Sequence, residues 1–273
     1  MSRFLAPDDG AIPAAAIANF ASHVTLMHAY VPDARAIEAD DVLIADSSIP
    51  DATFNIIMQA RFAPDALDRR IAETVAAARA TGRPFVWWVD AEGPAGLAAG
   101  LDAAGLKASD RSLIMRADLA IETEMRPVDG ELEIRLVTTE RDFADFAQAL
   151  AGYWNPPAQT VLEFFGKVAK GLLAPGGSGA DAFRTFVGYV RGVPVCVAQA
   201  VLADGVAGLY NIVTDTGYRG RGFGAAMTVA AMRAARDEGY RTVVLEASPM
   251  GEPVYRRLGF VTCGEVLEYA VEP

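Results

Sequence analysis

A chain of 273 residues, 52% of them hydrophobic and 22% charged, can bury two cores of ordinary domain size and is no disordered tail. Its net charge of −11, from 24 basic against 35 acidic residues, argues against a nucleic-acid partner, because phosphate neutralisation needs clustered Lys and Arg. A small anionic ligand stays open, since local charge can oppose the global balance.

The N-terminus, MSRFLAPDDG, lacks the charged-then-apolar pattern of a signal peptide. AIPAAAIANFASHVTLM (11–27) is too interrupted by polar residues to span a membrane, so a soluble cytoplasmic protein is expected. His23 and His28 fall in this Ala-rich helical stretch, and no Cys and His spacing points to a metal. The two cysteines, Cys196 and Cys263, sit in apolar strand-like runs and read as reduced, buried thiols.

Further along, 64–82 reads as a helix and PFVWWVD (84–90) as a strand. Trp87 and Trp88 would then face opposite sides, placing at least one in a core. A short helix over 93–105 ends at Gly105, and 106–119 supplies further strand material. RPVDG (126–130) carries Pro and Gly between structured blocks, which places a boundary between a domain at 1–125 and another at 131–273.

Downstream, ELEIRLV (131–137) alternates like a half-buried strand. Two helices follow, with Phe143, Phe146 and Leu150 on one face of the first. Val161, Leu162, Phe165, Val168 and Leu172 form the apolar face of the second. PGGSG (175–179) reads as a loop. Residues 183–213 then read as three strands joined by hairpin turns at Arg191-Gly192 and Asp204-Gly205. A helix over 224–239 buries Met227, Ala230, Ala231 and Ala234 and stops at Gly239. RTVVLEA (241–247) is a strand, EPVYRRLG (252–259) a helix ended by Gly259, and FVTCGEVLEYAV (260–271) closing strand material. Both halves thus place a strand, a helix stopped by Gly and another strand in the same order, which points to an internal duplication.

The informative stretch is NIVTDTGYRGRGFGAAM (211–227). Its glycines permit a tight strand-to-helix turn. Gly220-x-Gly222-x-x-Ala225 also matches a dinucleotide fingerprint, with Glu246 at the distance of a ribose-binding acid. Against that, TDTGYR separates the glycines from the strand, the preceding strands form hairpins, and only 27 residues follow Glu246. A third grouping is Arg219-x-x-Gly222-x-Gly224, whose small residues admit a pyrophosphate to backbone N–H groups at a helix start.

With this last grouping, VTDTGYRGRGFG and EASPMGEPVYRRLGF resemble the two motifs of the GNAT family of acyl-CoA-dependent N-acyltransferases, over about 131–270. The resemblance implies two GNAT-like α/β domains, each a central mixed, largely antiparallel sheet flanked by helices, the first a degenerate copy with no Arg-x-x-Gly-x-Gly sequence. It implies acetyl-CoA as cosubstrate, with Arg219, Gly220, Arg221, Gly222, Phe223 and Gly224 at the pyrophosphate. Ile212, Val213 and Thr214 would lie along the pantetheine arm and lend an N–H to the thioester oxygen, with Ser248 nearby. Tyr255 would protonate the departing thiolate. Thr216 stands where family members often have Pro, and Ser248 where they often have Asn. The acceptor would be a small-molecule amine, with Tyr153, Trp154 and Asn211 as candidate contacts. The strand AGLYNIV lacks the carboxylate that some relatives use as general base; Glu246 and a water chain past Asn211 or Tyr210 are the alternatives. That lack also leaves room for a non-catalytic acyl-CoA-binding protein. No metal, nucleic acid or membrane partner is expected.

Overall fold

The computed structural model describes residues 4–90, 93–123, 128, 132–173 and 180–273. The loop expected at 175–179, and all of 126–130 except Val128, lie outside the described residues. In chain order the elements are α1 (Ile12–His28), β1 (Arg35–Ala39), β2 (Val42–Asp46), β3 (Ile56–Met58), α2 (Leu67–Ala80), β4 (Phe85–Asp90), α3 (Leu97–Ala103) and β5 (Ala108–Asp118). Next come β6 (Leu132–Leu136), α4 (Glu140–Ala151), α5 (Gln159–Leu172), β7 (Phe183–Val190), β8 (Val193–Ala203) and β9 (Val206–Thr214). The last are α6 (Phe223–Asp237), β10 (Thr242–Ala247), α7 (Glu252–Arg257) and β11 (Val261–Val271).

Contacts divide the chain into two compact units, each built from two stretches: Met1–Phe20 with Ile114–Cys263, and Ala21–Leu113 with Gly264–Pro273. In the latter unit β1, β2 and β3 form an antiparallel meander, and β3 runs parallel to β4 over Ile56↔Val86 and Ile57↔Trp87. The other neighbour of β4 is β11, whose Val266–Val271 pair antiparallel with Asp90–Phe85. Trp87 is fully buried against Phe62, Ile71, Leu101 and Tyr269, while Trp88 is half-buried, as alternation along a strand requires. His28 is structural: its ring nitrogens lie 2.7 and 2.9 Å from the carbonyls of Val24 and Phe54, and burial lowers its pKa.

The unit containing Ile114–Cys263 has the strand order β5-β10-β9-β8-β7-β6. Only the β9–β10 contact among its described ladders is parallel; β6 to β9 pair antiparallel in sequence. The hairpin turns fall at the expected dipeptides. Arg191 and Gly192 have φ 51° and 79°, Asp204 and Gly205 53° and 78°, the double left-handed pair of a type I′ turn. Thr139 caps α4 in a capping box with Asp142. The hydroxyl of Tyr189 on β7 donates to Asp145 on α4, whereas Gly188 faces Met227 on α6, so these helices cover opposite faces of the sheet. The buried face of α5 uses Phe164 where the sequence pattern suggests Leu162; Leu162 is only partly buried. On α6 the buried stripe is wider than the pattern suggests, and rotated. Phe223, Met227, Ala231 and Ala235 form its centre, and Ala230 and Ala234 stand at its margin. The mixed, largely antiparallel sheet flanked by helices is the architecture that the motifs implied.

The N-terminal segment is bound into this second unit by long-range hydrogen bonds. The Leu5 N–H donates to Gly205 O at 2.9 Å, and Thr242 Oγ1 donates to Leu5 O at 2.8 Å. Asn19 on α1 is fully buried; its Nδ2 lies 3.0–3.2 Å from the carbonyls of Val201, Ala203 and Val206. Its Oδ1 accepts from the Tyr210 hydroxyl at 2.9 Å, and Phe20 stacks on the Tyr210 ring. Gly208 is what admits this amide: a Cβ there would stand 2.0 Å from Asn19 Oδ1 and 2.6 Å from the Tyr210 ring. Gly208→Ala is therefore expected to destabilise by about 2 kcal/mol or more, as overpacking of a fixed polar cluster does. Gly166→Ala, on the exposed face of α5 where a Cβ meets nothing within 4 Å, should instead stabilise by up to about 1 kcal/mol. Urea unfolding of the two variants distinguishes them, and equal midpoints would contradict the packing described for Gly208.

Candidate functional site

β9 carries one residue more than β8 between two register points. Val213 pairs with Val197 and Tyr210 with Gln199, so three steps on β9 match two on β8. The surplus is taken up at Asn211, whose φ of 54° is left-handed. Asn is among the few side chains that tolerate this conformation, and its Nδ2 donates to Gln199 Oε1 at 3.3 Å. Gln199, fully buried, donates in turn to Thr185 Oγ1 at 2.8 Å. A row of two amides and a hydroxyl thus crosses three strands and holds the bulge in place.

On its other edge β9 pairs with β10 only at Ala207↔Val243 and Gly208↔Val244 among the described residues. From the bulge onward, Asn211, Ile212, Val213 and Thr214 are half-buried and lie beyond the β10 ladder. Past the end of this ladder, the main chain of β9 on that side is an edge with which a ligand's extended polar arm can pair as a strand would.

Past Thr214 the chain turns. Asp215 accepts from Gly217 N, a short 3-10 turn covers Thr216–Tyr218, and Arg219 is extended. Gly220 and Gly222 have φ 78° and 83°, and a Cβ on either would meet nothing within 4 Å. Both glycines are thus required by backbone conformation, and both border open space. The first helical hydrogen bond of α6 runs from the Ala226 N–H to Gly222 O, so the N–H groups of Gly222 to Ala225 are not consumed within the helix. No acidic residue stands in its first turn. Arg219 and Arg221 are exposed and form no ion pair among the described residues. Free amides, a helix start and two exposed cations are groups with which an anion can pair, in a protein that is acidic overall.

The other sequence-predicted residues surround this turn or lie apart from it. Phe223 is buried, stacked near Tyr218, so only its backbone borders the turn. The Thr214 hydroxyl lies 3.5 Å from where a Cβ on Gly224 would be. Ser248 comes just after β10, is exposed, and its Oγ accepts from Gly251 N at 3.2 Å, which starts α7. Because β9 and β10 are parallel neighbours, Ser248 and α7 lie at the same end of the sheet as the glycine turn. Tyr255 on α7 is 9% exposed, packed near Phe260, and burial pushes its pKa up to about 12. Tyr153 and Trp154 meet edge to face just after α4, and the Tyr153 ring lies 5.4 Å from the guanidinium carbon of Arg219. Glu246, two residues past Val244, is level with Tyr210, two past Gly208, and its charge acts on the Tyr210 phenol and the Cys263 thiol. Burial raises both of those groups and pushes Cys196 up to about 12, so neither cysteine is an activated thiolate.

Sequence reasoning missed Asn19, Thr185 and Gln199 as supports of the site. Their signal was present: each is a polar side chain inside an apolar run. No group of His, Cys, Asp and Glu suited to a metal occurs among the described residues, and no helix among them is long and apolar enough to cross a membrane.

The sequence pattern of the acetyltransferase (GNAT) domain matches residues 180–270. No curated protein matches the chain in sequence. Among solved structures, a GCN5-related N-acetyltransferase from Kribbella flavida is similar with a TM-score of 0.67 at 18% identity, covering 93% of this chain and 95% of that one. One from Sphaerobacter thermophilus gives 0.62 at 13%, covering 100% and 96%. A tandem GNAT protein from the clavulanic acid biosynthesis pathway gives 0.59 at 14%, covering 98% of each chain. At these identities the likeness is one of fold.

The bulge makes its own prediction. Asn211→Gly keeps the left-handed residue and loses only the hydrogen bond to Gln199, a cost of about 1 kcal/mol, whereas β-branched Asn211→Val loses that bond and strains the backbone as well, a cost of about 3 kcal/mol. Chemical denaturation of the pair reads the difference, and equal stability would mean that position 211 bears no conformational constraint.

Proposed function

We propose that this chain, whose residues 180–270 match the pattern of the acetyltransferase (GNAT) domain, moves an acetyl group from acetyl-CoA to the nitrogen of a small-molecule amine. The observation that carries the reading is the succession, within 210–224, of a bulged strand end parted from its neighbour and a left-handed glycine turn at a helix start. Two features of one ligand correspond to them: an amide-bearing arm that pairs with a strand, and a pyrophosphate.

In this mechanism the amine, deprotonated, attacks the thioester carbonyl and forms a tetrahedral oxyanion. A backbone N–H of Ile212 to Thr214 donates to that oxyanion, the kind of preorganised contact that contributes most to acyl transfer. The carbon–sulfur bond then breaks, giving the amide and the coenzyme thiolate. Tyr255, on the helix after β10, is the candidate donor at this step and keeps its proton, since burial pushes its pKa up to about 12. Full transfer from such a phenol to a thiolate whose acid lies near 8.5 is uphill by about 5 kcal/mol. Tyr255 therefore acts by hydrogen-bonding the departing sulfur rather than by surrendering its proton, and the thiol takes its proton from the amine by way of solvent. Glu246, half-buried and level with Tyr210, is the nearest carboxylate along β10 for receiving it.

One observation favours a second reading, a non-catalytic acyl-CoA-binding protein: β9, Val206–Thr214, has no carboxylate of its own. Free-thiol release from acetyl-CoA over a panel of amines separates the two.

Calorimetric titration with acetyl-CoA is expected to show binding by the wild-type chain and at least a tenfold loss, roughly, in Gly222→Val. A side chain there fills the open space before the turn and strains a left-handed backbone. Absence of wild-type binding at millimolar ligand would overturn the donor assignment. Tyr255→Phe should lower kcat about 10- to 100-fold with little change in acetyl-CoA affinity, the worth of a hydrogen bond to a charged group. Because the phenol stays protonated up to about pH 12, the wild-type to Tyr255→Phe ratio should be flat between about pH 6 and 10. A ratio that collapses in that range would reassign the residue.

A further inference from the structure

We propose that Tyr153 is a positioning residue for Arg219, and that the segment after α4 thereby sets how well the glycine turn holds a pyrophosphate; this rests on the reading of Arg219–Gly224 as the coenzyme turn. Sequence reasoning placed Tyr153 at the acceptor. Its ring also lies against Arg219, with the guanidinium carbon 5.4 Å from the ring centroid.

Arg219 is exposed, and a long exposed side chain must lose rotamer freedom before it can bind an anion. Two contacts remove that freedom in advance. Its Nε–H donates to Thr214 O at 3.1 Å, which aims the side chain back along the end of β9. The guanidinium carbon then lies over the Tyr153 ring, 5.4 Å from its centroid. Both contacts leave the terminal N–H groups available, and these are the donors that pair with phosphate oxygens.

The ring is itself fixed. The Tyr153 N–H donates to Leu150 O at 3.0 Å, and the N–H groups of Trp154 and Ala158 both converge on Ala151 O at 3.2 Å, closing the segment into a tight loop. Trp154 packs edge-on against Tyr153 with centroids 5.0 Å apart. Beneath the loop, a Cβ on Gly152 would lie 3.7 Å from Asp215 Oδ2, so the loop backbone is seated on the first residue of the turn. Asp215 is held by its N–H to Val195 O at 2.9 Å and by accepting from Gly217 N at 2.8 Å. The loop and the turn therefore meet at two points, backbone against Asp215 and ring against Arg219.

The test compares two donors by direct titration: acetyl-CoA, and S-acetyl-pantetheine, which has the thioester arm without the pyrophosphate. Tyr153→Leu is expected to weaken acetyl-CoA binding about three- to five-fold and leave S-acetyl-pantetheine unchanged. Tyr153→Phe keeps the ring face and should bind both as the wild type does. In an Arg219→Ala background, Tyr153→Leu should add nothing further. Equal weakening of both donors would show that the residue only supports the fold of its loop, and unchanged acetyl-CoA affinity would remove the positioning role outright. Failure of Tyr153→Phe to restore affinity would do the same. If the wild-type chain binds no acetyl-CoA, the coenzyme reading of the turn fails and the proposal falls with it. If it binds and Tyr153→Leu is unaffected, only the role of Tyr153 falls.

Discussion

A single surplus residue in β9 governs the geometry of the candidate site. A strand that matched β8 step for step would continue alongside β10, and its amides would be consumed by the neighbouring strand. Inserting Asn211 in a left-handed conformation increases the local twist and bends β9 away, so the ladder to β10 ends at Gly208 and Val244. The cost of that residue is offset by the row from Asn211 through Gln199 to Thr185, in which both hydrogen bonds run between side chains of adjacent strands. The chain beyond β9 inherits its direction: the turn at Asp215, the two left-handed glycines and the start of α6 all lie past the point of divergence.

The unit built on Ala21–Leu113 shows the same order of elements without the same chemistry. An antiparallel meander leads to β3, a helix comes next, and a parallel strand β4 precedes a short helix, as β9, α6, β10 and α7 do in the other unit. Yet the segment before α2 contains Pro64 and Asp65, and Asp68 sits in the helix's first turn. Carboxylates there satisfy the helix dipole and repel an anion. Phe62 is buried where the other unit has an open turn, and Arg61 is committed to Asp90 at 3.2 Å. The two units thus share an order of elements while differing at the turn before the helix.

Features set by local chemistry were legible in the sequence. The two type I′ turns, the helix stops at Gly239 and Gly259, the alternation at Trp87 and Trp88, and the glycine turn all depend on residues within a few positions of one another. The illegible features depend on distant partners. β1 is exposed along its whole length, so RAIEA offers no burial pattern to detect. β3 has three residues, too few for any periodicity. The allegiance of residues 4–20 rests on Asn19 reaching carbonyls more than 180 positions away, and α5 and three strands intervene between Tyr153 and Arg219. The expected face of α5 holds except that Phe164, and not Leu162, meets the core, while the face of α6 was displaced because an Ala-rich helix carries little contrast between its sides.

The pairing of β11 with β4 has a temporal side. Val271 lies opposite Phe85 and Val266 opposite Asp90, so about 180 residues separate the partners. During synthesis at about 5–20 residues per second, the open edge of β4 and the core that needs Tyr269 and Val271 must wait roughly 10–40 seconds for their missing strand. An unpaired strand edge exposed that long is where nascent chains associate wrongly. The arrangement makes the N-terminal half the first to be made and the last to be finished.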